Sequence, residues 1–261
     1  ELTGVPYSKI MLVAIFPALM YVFSVFIMVH YEAKKYNIKG EKSEHSAMEI
    51  LKTQWYYIMP LVMITILMLY GFSPGYSAIL GIVTCLVISW FKTDTRITPK
   101  RFIEASRAGT ENSLKIGATV GVIGIIIGVL TYSGLVLTFA DIVIELASGA
   151  VFFGIDFRLV ATIFLIALAS LVLGMGVPVT AAYLVTAVVA VPALIHLGVN
   201  EIAAHMIVYW LSQDSNITPP VCIAAFAGAT IAKANMWRTA FAAFKFAKFL
   251  YLGPFLFGYV P

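Results

Sequence analysis

The sequence is poor in charge. Only 11% of its 261 residues are charged, with 17 Lys+Arg against 13 Asp+Glu, while 61% are apolar. A soluble domain carries roughly 25% charged residues, and so little charge could not cover this much hydrophobic surface in water. A mean hydropathy of +0.95 agrees, so lipid is the expected solvent for most of the chain. The two cysteines, Cys85 and Cys222, lie inside apolar runs, and no Cys-x-x-Cys or His-Cys spacing exists. A disulfide framework and a zinc-type site are therefore not expected. Also missing are His-Glu-x-x-His, a P-loop, Gly-x-Ser-x-Gly and a dinucleotide fingerprint, which leaves ATP-driven pumping and hydrolysis without support. The first residue is Glu1, and no charged segment precedes a short apolar core, so no signal peptide is recognisable and the chain reads as a fragment of something longer.

Several apolar runs punctuated by basic stretches are present. Ile10 to Val29 is twenty residues without a charge, about 30 Å of helix and one bilayer crossing. After the polar stretch from Tyr31 to Thr53, Trp55 to Tyr70 and Ser77 to Phe91 form a tight hairpin around the turn Gly71 to Gly75, with Trp55, Tyr56, Tyr57, Tyr70 and Trp90 near its ends as interfacial aromatics. Thr98 and Pro99 are helix-start signals, so a helix lying on the membrane surface is expected over 98–115, followed by a crossing from Ile116 to Ala140. Gly124 and Gly128 in that crossing have the spacing that lets helices approach closely.

The basic residues fix the orientation. The stretches 31–53 and 92–115 hold eleven of the 17 Lys+Arg, and Lys233, Arg238, Lys245 and Lys248 bring the cytoplasmic count to fifteen. Lys9 and Arg158 alone fall outside, together with the acidic connection from Asp141 to Arg158, so the net charge of +4 reflects topology and implies no nucleic-acid partner. His196 and His205, at the ends of apolar runs, are expected to bond at the interface, and Lys245 and Lys248 to snorkel from the first turns of the last helix.

Two segments break the pattern. From Leu159 to Asn200 there is no acidic residue, Lys or Arg, yet the run is interrupted by Gly174-Met175-Gly176-Val177-Pro178-Val179-Thr180. Its arms of about 15 and 17 residues reach only about 22 to 26 Å as helix. An uncharged tip suits a re-entrant hairpin over 159–196 that ends inside protein; two short full crossings are the other reading. Residues 202 to 232 form a run of thirty-one whose only charge is Asp214, about 46 Å as one helix and too long for an upright crossing. At its centre, Pro219 and Pro220 remove backbone donors and force the helix to unwind and restart around Val221. The gap exposes carbonyls and amides flanked by Ser215, Asn216 and Thr218. Hard oxygens of this kind suit a dehydrated cation, and the positive end of a half-helix suits a carboxylate. Asp214 could complete a cation site, accept a proton, or bond freed backbone amides; a carboxylate at this depth costs at least ~2.5 kcal/mol.

The stretches Leu173-Gly-Met-Gly-Val-Pro-Val-Thr-Ala-Ala-Tyr183 and Ser215-Asn-Ile-Thr-Pro-Pro-Val-Cys-Ile-Ala-Ala-Phe226 resemble the large membrane subunit of tripartite ATP-independent periplasmic (TRAP) transporters, particularly the variant with fused small and large subunits. The opening Thr3 to Ser8, the turn Tyr70 to Pro74 and Thr95-Arg-Ile-Thr-Pro99 are similar too, so the likeness covers the whole chain. The resemblance implies an all-α polytopic membrane protein, the second half of an inverted-repeat transporter that moves as an elevator. It implies four segments: scaffold helices over 1–97, the surface helix over 98–115, a transport segment over 116–236 and a final crossing over 237–261. The first repeat should then lie before Glu1.

A sodium site is implied between Gly174, Met175, Gly176 and Thr180 on the tip and Ser215, Asn216 and Thr218 at the break. Asp214, Val177, Pro178, Pro219 and Pro220 would serve substrate binding or coupling. The family often has an acid where Asn216 stands; here it is two positions earlier, at Asp214, which keeps proton coupling open beside sodium. Implied partners are the upstream half of the permease, a small membrane subunit or fused domain, a periplasmic substrate-binding protein, a small organic anion and membrane lipid, in a bacterial or archaeal cytoplasmic membrane. No cofactor and no enzymatic activity are expected. The alternative is a membrane-embedded enzyme or channel-like assembly subunit using Asp214 as a lone acid.

Overall fold

The computed structural model describes residues 3–38, 46–91, 95–152, 155–175 and 177–260. It is a predominantly helical, multi-pass membrane protein, in which, among the described residues, five helical stretches are long and apolar enough to cross a bilayer: Tyr7–Lys35, Met48–Leu69, Pro99–Tyr132, Val179–His196 and Met236–Tyr259. The chain forms two compact units, Glu1–Ala18 with Glu32–Ser113, and Leu19–Tyr31 with Leu114–Pro261.

Helix α1 (Tyr7–Lys35) starts after Pro6 and carries Lys34 and Lys35 in its last turn, where cations favour the negative end of the helix dipole. In the first unit, α2 (Ala47–Gln54) passes through a 3-10 turn at Trp55–Ile58 into α3 (Met59–Leu69), which turns back into α4 (Pro74–Ser89). The turn is built from Gly71, at φ 86, and from Ser73, whose hydroxyl accepts from the Tyr76 amide at 3.3 Å and caps α4. The two helices lie so close that a Cβ on Gly81 would come within 2.6 Å of Ile64 Cδ1.

Helix α5 (Pro99–Tyr132) is a single helix of 34 residues. The sequence suggested a helix over 98–115 and a separate crossing over 116–140; instead the helix runs on, because no Pro or Gly lies between Thr110 and Ile116 and an Arg107–Glu111 pair at 3.0 Å bridges one turn there. The stop comes later, at Gly134 with φ 74, a left-handed residue that glycine adopts without steric cost. Helix α6 (Leu135–Ser148) then takes up Ala140 together with Asp141 and Glu145.

A two-residue antiparallel pairing, Val151–Phe152 (β1) with Ile155–Asp156 (β2), leads into α7 (Arg158–Leu173). The Asp156 carboxylate accepts from the side chain of Arg158 at 2.6 to 3.0 Å and from its amide at 2.9 Å. Those bonds, the side-chain one foremost, hold the carboxyl down to about 2.

The rest of the second unit is α8 (Val179–His196), α9 (Glu201–Asp214), α10 (Ile223–Ile231), α11 (Met236–Phe246) and α12 (Lys248–Tyr259). Its core combines fully buried Ile163, Ile166, Leu194, Ile207 and Val208 with Ala187, Ala190 and Ala204, small residues that bring helix backbones together where lipid offers no hydrophobic drive to associate. Half of α8 is buried, against 6% of the apolar stretch of α1. Helix α12 lies along α9, where Trp210 packs edge-on to Phe249 and Phe257 and a Cβ on Gly253 would sit 3.1 Å from the indole nitrogen. The segment 237–261, expected as one crossing, holds the crossing-length stretch Met236–Tyr259, built of α11 and α12 joined at Ala247, with Lys245 ending α11 and Lys248 beginning α12. His205, half-buried in the first turns of α9, has its Nδ1 2.9 Å from the Tyr183 hydroxyl, a contact that pins α9 to α8.

Candidate ion and substrate site

Helix α7 ends at Gly174, whose amide donates to the Ser170 carbonyl at 2.8 Å, and Met175 closes the turn onto Val172 at 3.2 Å. Gly174 is buried, and a Cβ there would lie 2.7 Å from both Cβ and Oγ of Ser215 and 2.9 Å from the Ser170 carbonyl oxygen. No real Cβ tolerates such distances, so the position needs glycine: the backbone of the tip rests directly on the start of the helix break. Pro178, with ψ 147, then sets the extended approach to α8, and its carbonyl accepts from Ala182 at 3.0 Å. Met175, Val177, Pro178 and Thr180 are exposed along this tip. Gly176 lies outside the described residues.

The break itself is wired by its own main chain. The carbonyl of Asp214 accepts from both Ile217 (3.1 Å) and Thr218 (2.8 Å), that of Gln213 from Asn216 (3.1 Å), and that of Asn216 from Ala224 (3.1 Å). The Ser215 hydroxyl donates back to the Ser212 carbonyl at 3.3 Å, and the Cys222 thiol to that of Ile217 at 3.3 Å. The Pro219–Pro220 peptide is cis. Helix restarts at Ile223 rather than around Val221, because the Asn216 carbonyl reaches across to Ala224 and Cys222 turns the corner in a left-handed conformation, φ 44.

Asp214 is only 5% exposed. The freed amides of Ile217 and Thr218 are taken by its main-chain carbonyl, and its carboxylate Oδ1 has no hydrogen-bond partner among the described residues. The hydroxyls of Ser170, one turn before Gly174, and of Thr186 are buried without partners as well. Orphan oxygens of this kind are costly to bury. Among the described residues no group of three or more His, Cys, Asp and Glu could hold a metal, so the donors at the break are hydroxyls, carbonyls, an amide and one carboxylate. Hard oxygens alone suit an alkali cation better than zinc or copper.

The structure thus brings Gly174 together with Ser215, and Asp214 is the residue before that contact. Among the described residues no hydrogen bond links Met175, Val177, Pro178 or Thr180 to 214–220. Thr218 is bound elsewhere: its Oγ1 lies 2.7 Å from the hydroxyl of Tyr251 on α12. Tyr251 and Ser170 escaped the sequence reading; a phenol inside an apolar helix that must find a partner was the signal for the first. A separate cavity of 610 Å³, lined among others by Ile144, Asp156, Arg158, His196 and Tyr259, sits at the opposite end of α7 from the tip, about 24 Å of helix away. It is not part of this site.

Comparison with curated proteins and with solved structures gives no match. Comparison with protein families does: the model for the tripartite ATP-independent periplasmic transporter, DctM component, matches residues 2–261. This polytopic helical chain belongs to that family, and is a membrane component of a TRAP-type transporter.

Proposed function

We propose that the chain takes part in secondary active uptake of a small organic acid, delivered by a periplasmic binding protein and driven by a sodium gradient, with a proton gradient as the second possibility. The packing of the Gly174 tip on Ser215, next to a buried Asp214 with an unpartnered carboxylate oxygen, is the observation that carries this reading. On this reading residues 159–196 are a re-entrant hairpin, 202–232 a broken helix, and the cation sits between them, drawing on Gly174, Met175, Gly176 and Thr180 on one side and Ser215, Asn216 and Thr218 on the other. The N-termini of α8 and α10 supply partial positive charge for a substrate carboxylate, with Val177, Pro178, Pro219 and Pro220 shaping the backbone around it. Asp214 offsets the cation's charge when it is bound and carries the coupling. The transport segment, 116–236, moves as an elevator against scaffold helices of 1–97, with the upstream half of the permease and a small subunit or fused domain completing the assembly in a bacterial or archaeal cytoplasmic membrane.

Uptake into proteoliposomes holding the complete permease and its binding protein tests this. Accumulation should follow an imposed inward sodium gradient; accumulation indifferent to both sodium and proton gradients would overturn the proposal. Asp214→Asn should reduce sodium-driven accumulation about tenfold or more, as expected for an interaction with an ion lost at a desolvated site, with normal membrane insertion. Uptake that ignores sodium but keeps its dependence on a pH gradient, and loses it in Asp214→Asn, would assign coupling to the proton.

A further inference from the structure

We infer that Tyr251, on the last helix, is a positioning residue for the cation, acting through the hydroxyl of Thr218. This rests on the site proposed above. A threonine hydroxyl has one proton and two lone pairs. To ligate a cation it must turn lone pairs toward the ion and send its proton elsewhere, and a proton with no acceptor would point into the positive charge or be buried unsatisfied. Thr218 Oγ1 lies 2.7 Å from Tyr251 Oη, a distance at which either oxygen can donate. When Thr218 donates, the phenol oxygen takes its proton and both threonine lone pairs are free for the ion; when Tyr251 donates, one of them is occupied. The pair is therefore a two-state hydrogen bond whose cation-binding form is the one with Tyr251 as acceptor.

The phenol is held for this. Its ring packs against Phe244 of α11 with centroids 4.8 Å apart, and it stands on α12, which runs along α9, the helix whose end forms the break. The Thr218 amide is meanwhile tied to the Asp214 carbonyl at 2.8 Å, so backbone and side chain of Thr218 are fixed from two sides. The final helix pair, apolar in sequence and remote from both interrupted motifs, thereby contributes to the ion site.

The test is a sodium titration, with choline replacing sodium, of initial uptake by the complete permease carrying Tyr251→Phe, Thr218→Ala, or both. Phenylalanine keeps the ring packing and removes only the oxygen. Tyr251→Phe should raise the sodium concentration for half-maximal uptake about 5- to 10-fold, the scale of one hydrogen bond, while the maximal rate and the half-saturation for substrate stay at wild-type values. The double variant should be no worse than Thr218→Ala, since both remove one interaction. A sodium dependence unchanged in Tyr251→Phe but shifted in Thr218→Ala, or two effects that multiply in the double variant, would overturn the role of Tyr251 and leave the site standing. Unchanged sodium dependence in Thr218→Ala would remove Thr218 from the site, and this inference with it. If Thr218→Ala does not accumulate, the sodium-induced rise in Tm of detergent-solubilised Tyr251→Phe and Thr218→Ser decides: the serine variant should keep the rise and the phenylalanine variant should need several-fold more sodium, and equal responses overturn the inference.

Discussion

Two hairpins in this chain look alike in sequence and are built on opposite principles. The α3–α4 and α7–α8 pairs each join two apolar helices through a short turn with a glycine and a proline. In the first, Gly71 sits at φ 86 with nothing within 4 Å of where a Cβ would be, and the turn displays aromatics: Tyr70 is 80% exposed and Phe72 stacks on Tyr76. In the second, Gly174 has φ −76, open to any residue, but its Cβ position is filled by Ser215, and no aromatic stands on the tip. One glycine is chosen for backbone freedom, the other for absence of a side chain. An aromatic turn suits the membrane interface, whereas the second turn is held by the contact of Gly174 with the Ser215 side chain.

The sharpest way to break this contrast is to add one methyl group to each turn. Gly174→Ala should lower initial uptake about tenfold or more, since overpacking of this kind costs about 1–3 kcal/mol and acts at the site itself; equal uptake by Gly174→Ala and wild type would mean the tip and the break separate freely. Gly71→Ala meets no atoms and carries only left-handed strain of about 1–2 kcal/mol, so it should lower Tm while leaving uptake per folded molecule unchanged. A third glycine, Gly81, places closeness rather than freedom inside the first hairpin: Gly81→Ala should destabilise by about 1–3 kcal/mol in thermal unfolding, and Ile64→Ala, removing the atoms it strikes, should recover part of that. The smallest effect is expected at the far end of the second hairpin. The Asp156 carboxyl, held to about 2 by Arg158, contributes stability above its ordinary range near 3.8, and that contribution is lost as pH falls through about 2. Arg158→Met should raise the carboxyl back toward 3.8 and flatten the acid side of the Tm profile slightly, because exposed pairs are worth little. Altered sodium dependence in that variant would show that the two ends of the hairpin are coupled.

What was legible in the sequence followed from strong local constraints. Two successive prolines in a long apolar run leave no choice but a broken helix near 214–222, and a glycine-rich, charge-free tip marks a turn. The continuity of α5 was not legible, because the change from polar to apolar composition near Lys115 looks like a boundary although it contains no residue that stops a helix. The stop at Gly134 is a single glycine among several, and Ala247 between α11 and α12 carries no signal at all. The contact of Thr218 with Tyr251 joins residues 33 apart, beyond the reach of any periodicity. Side-chain partners across helices depend on packing, which local pattern does not encode.

The self-closed wiring of the break has a consequence for speed. With the amides of Asn216, Ile217, Thr218 and Ala224 bonded to the carbonyls of Gln213, Asp214 and Asn216, the notch is tied together by its own main chain. On the proposed reading, an ion arriving there would have no coil to order, so its affinity would not be diminished by a folding cost, and its departure would leave no collapsed segment to be rebuilt before the next cycle.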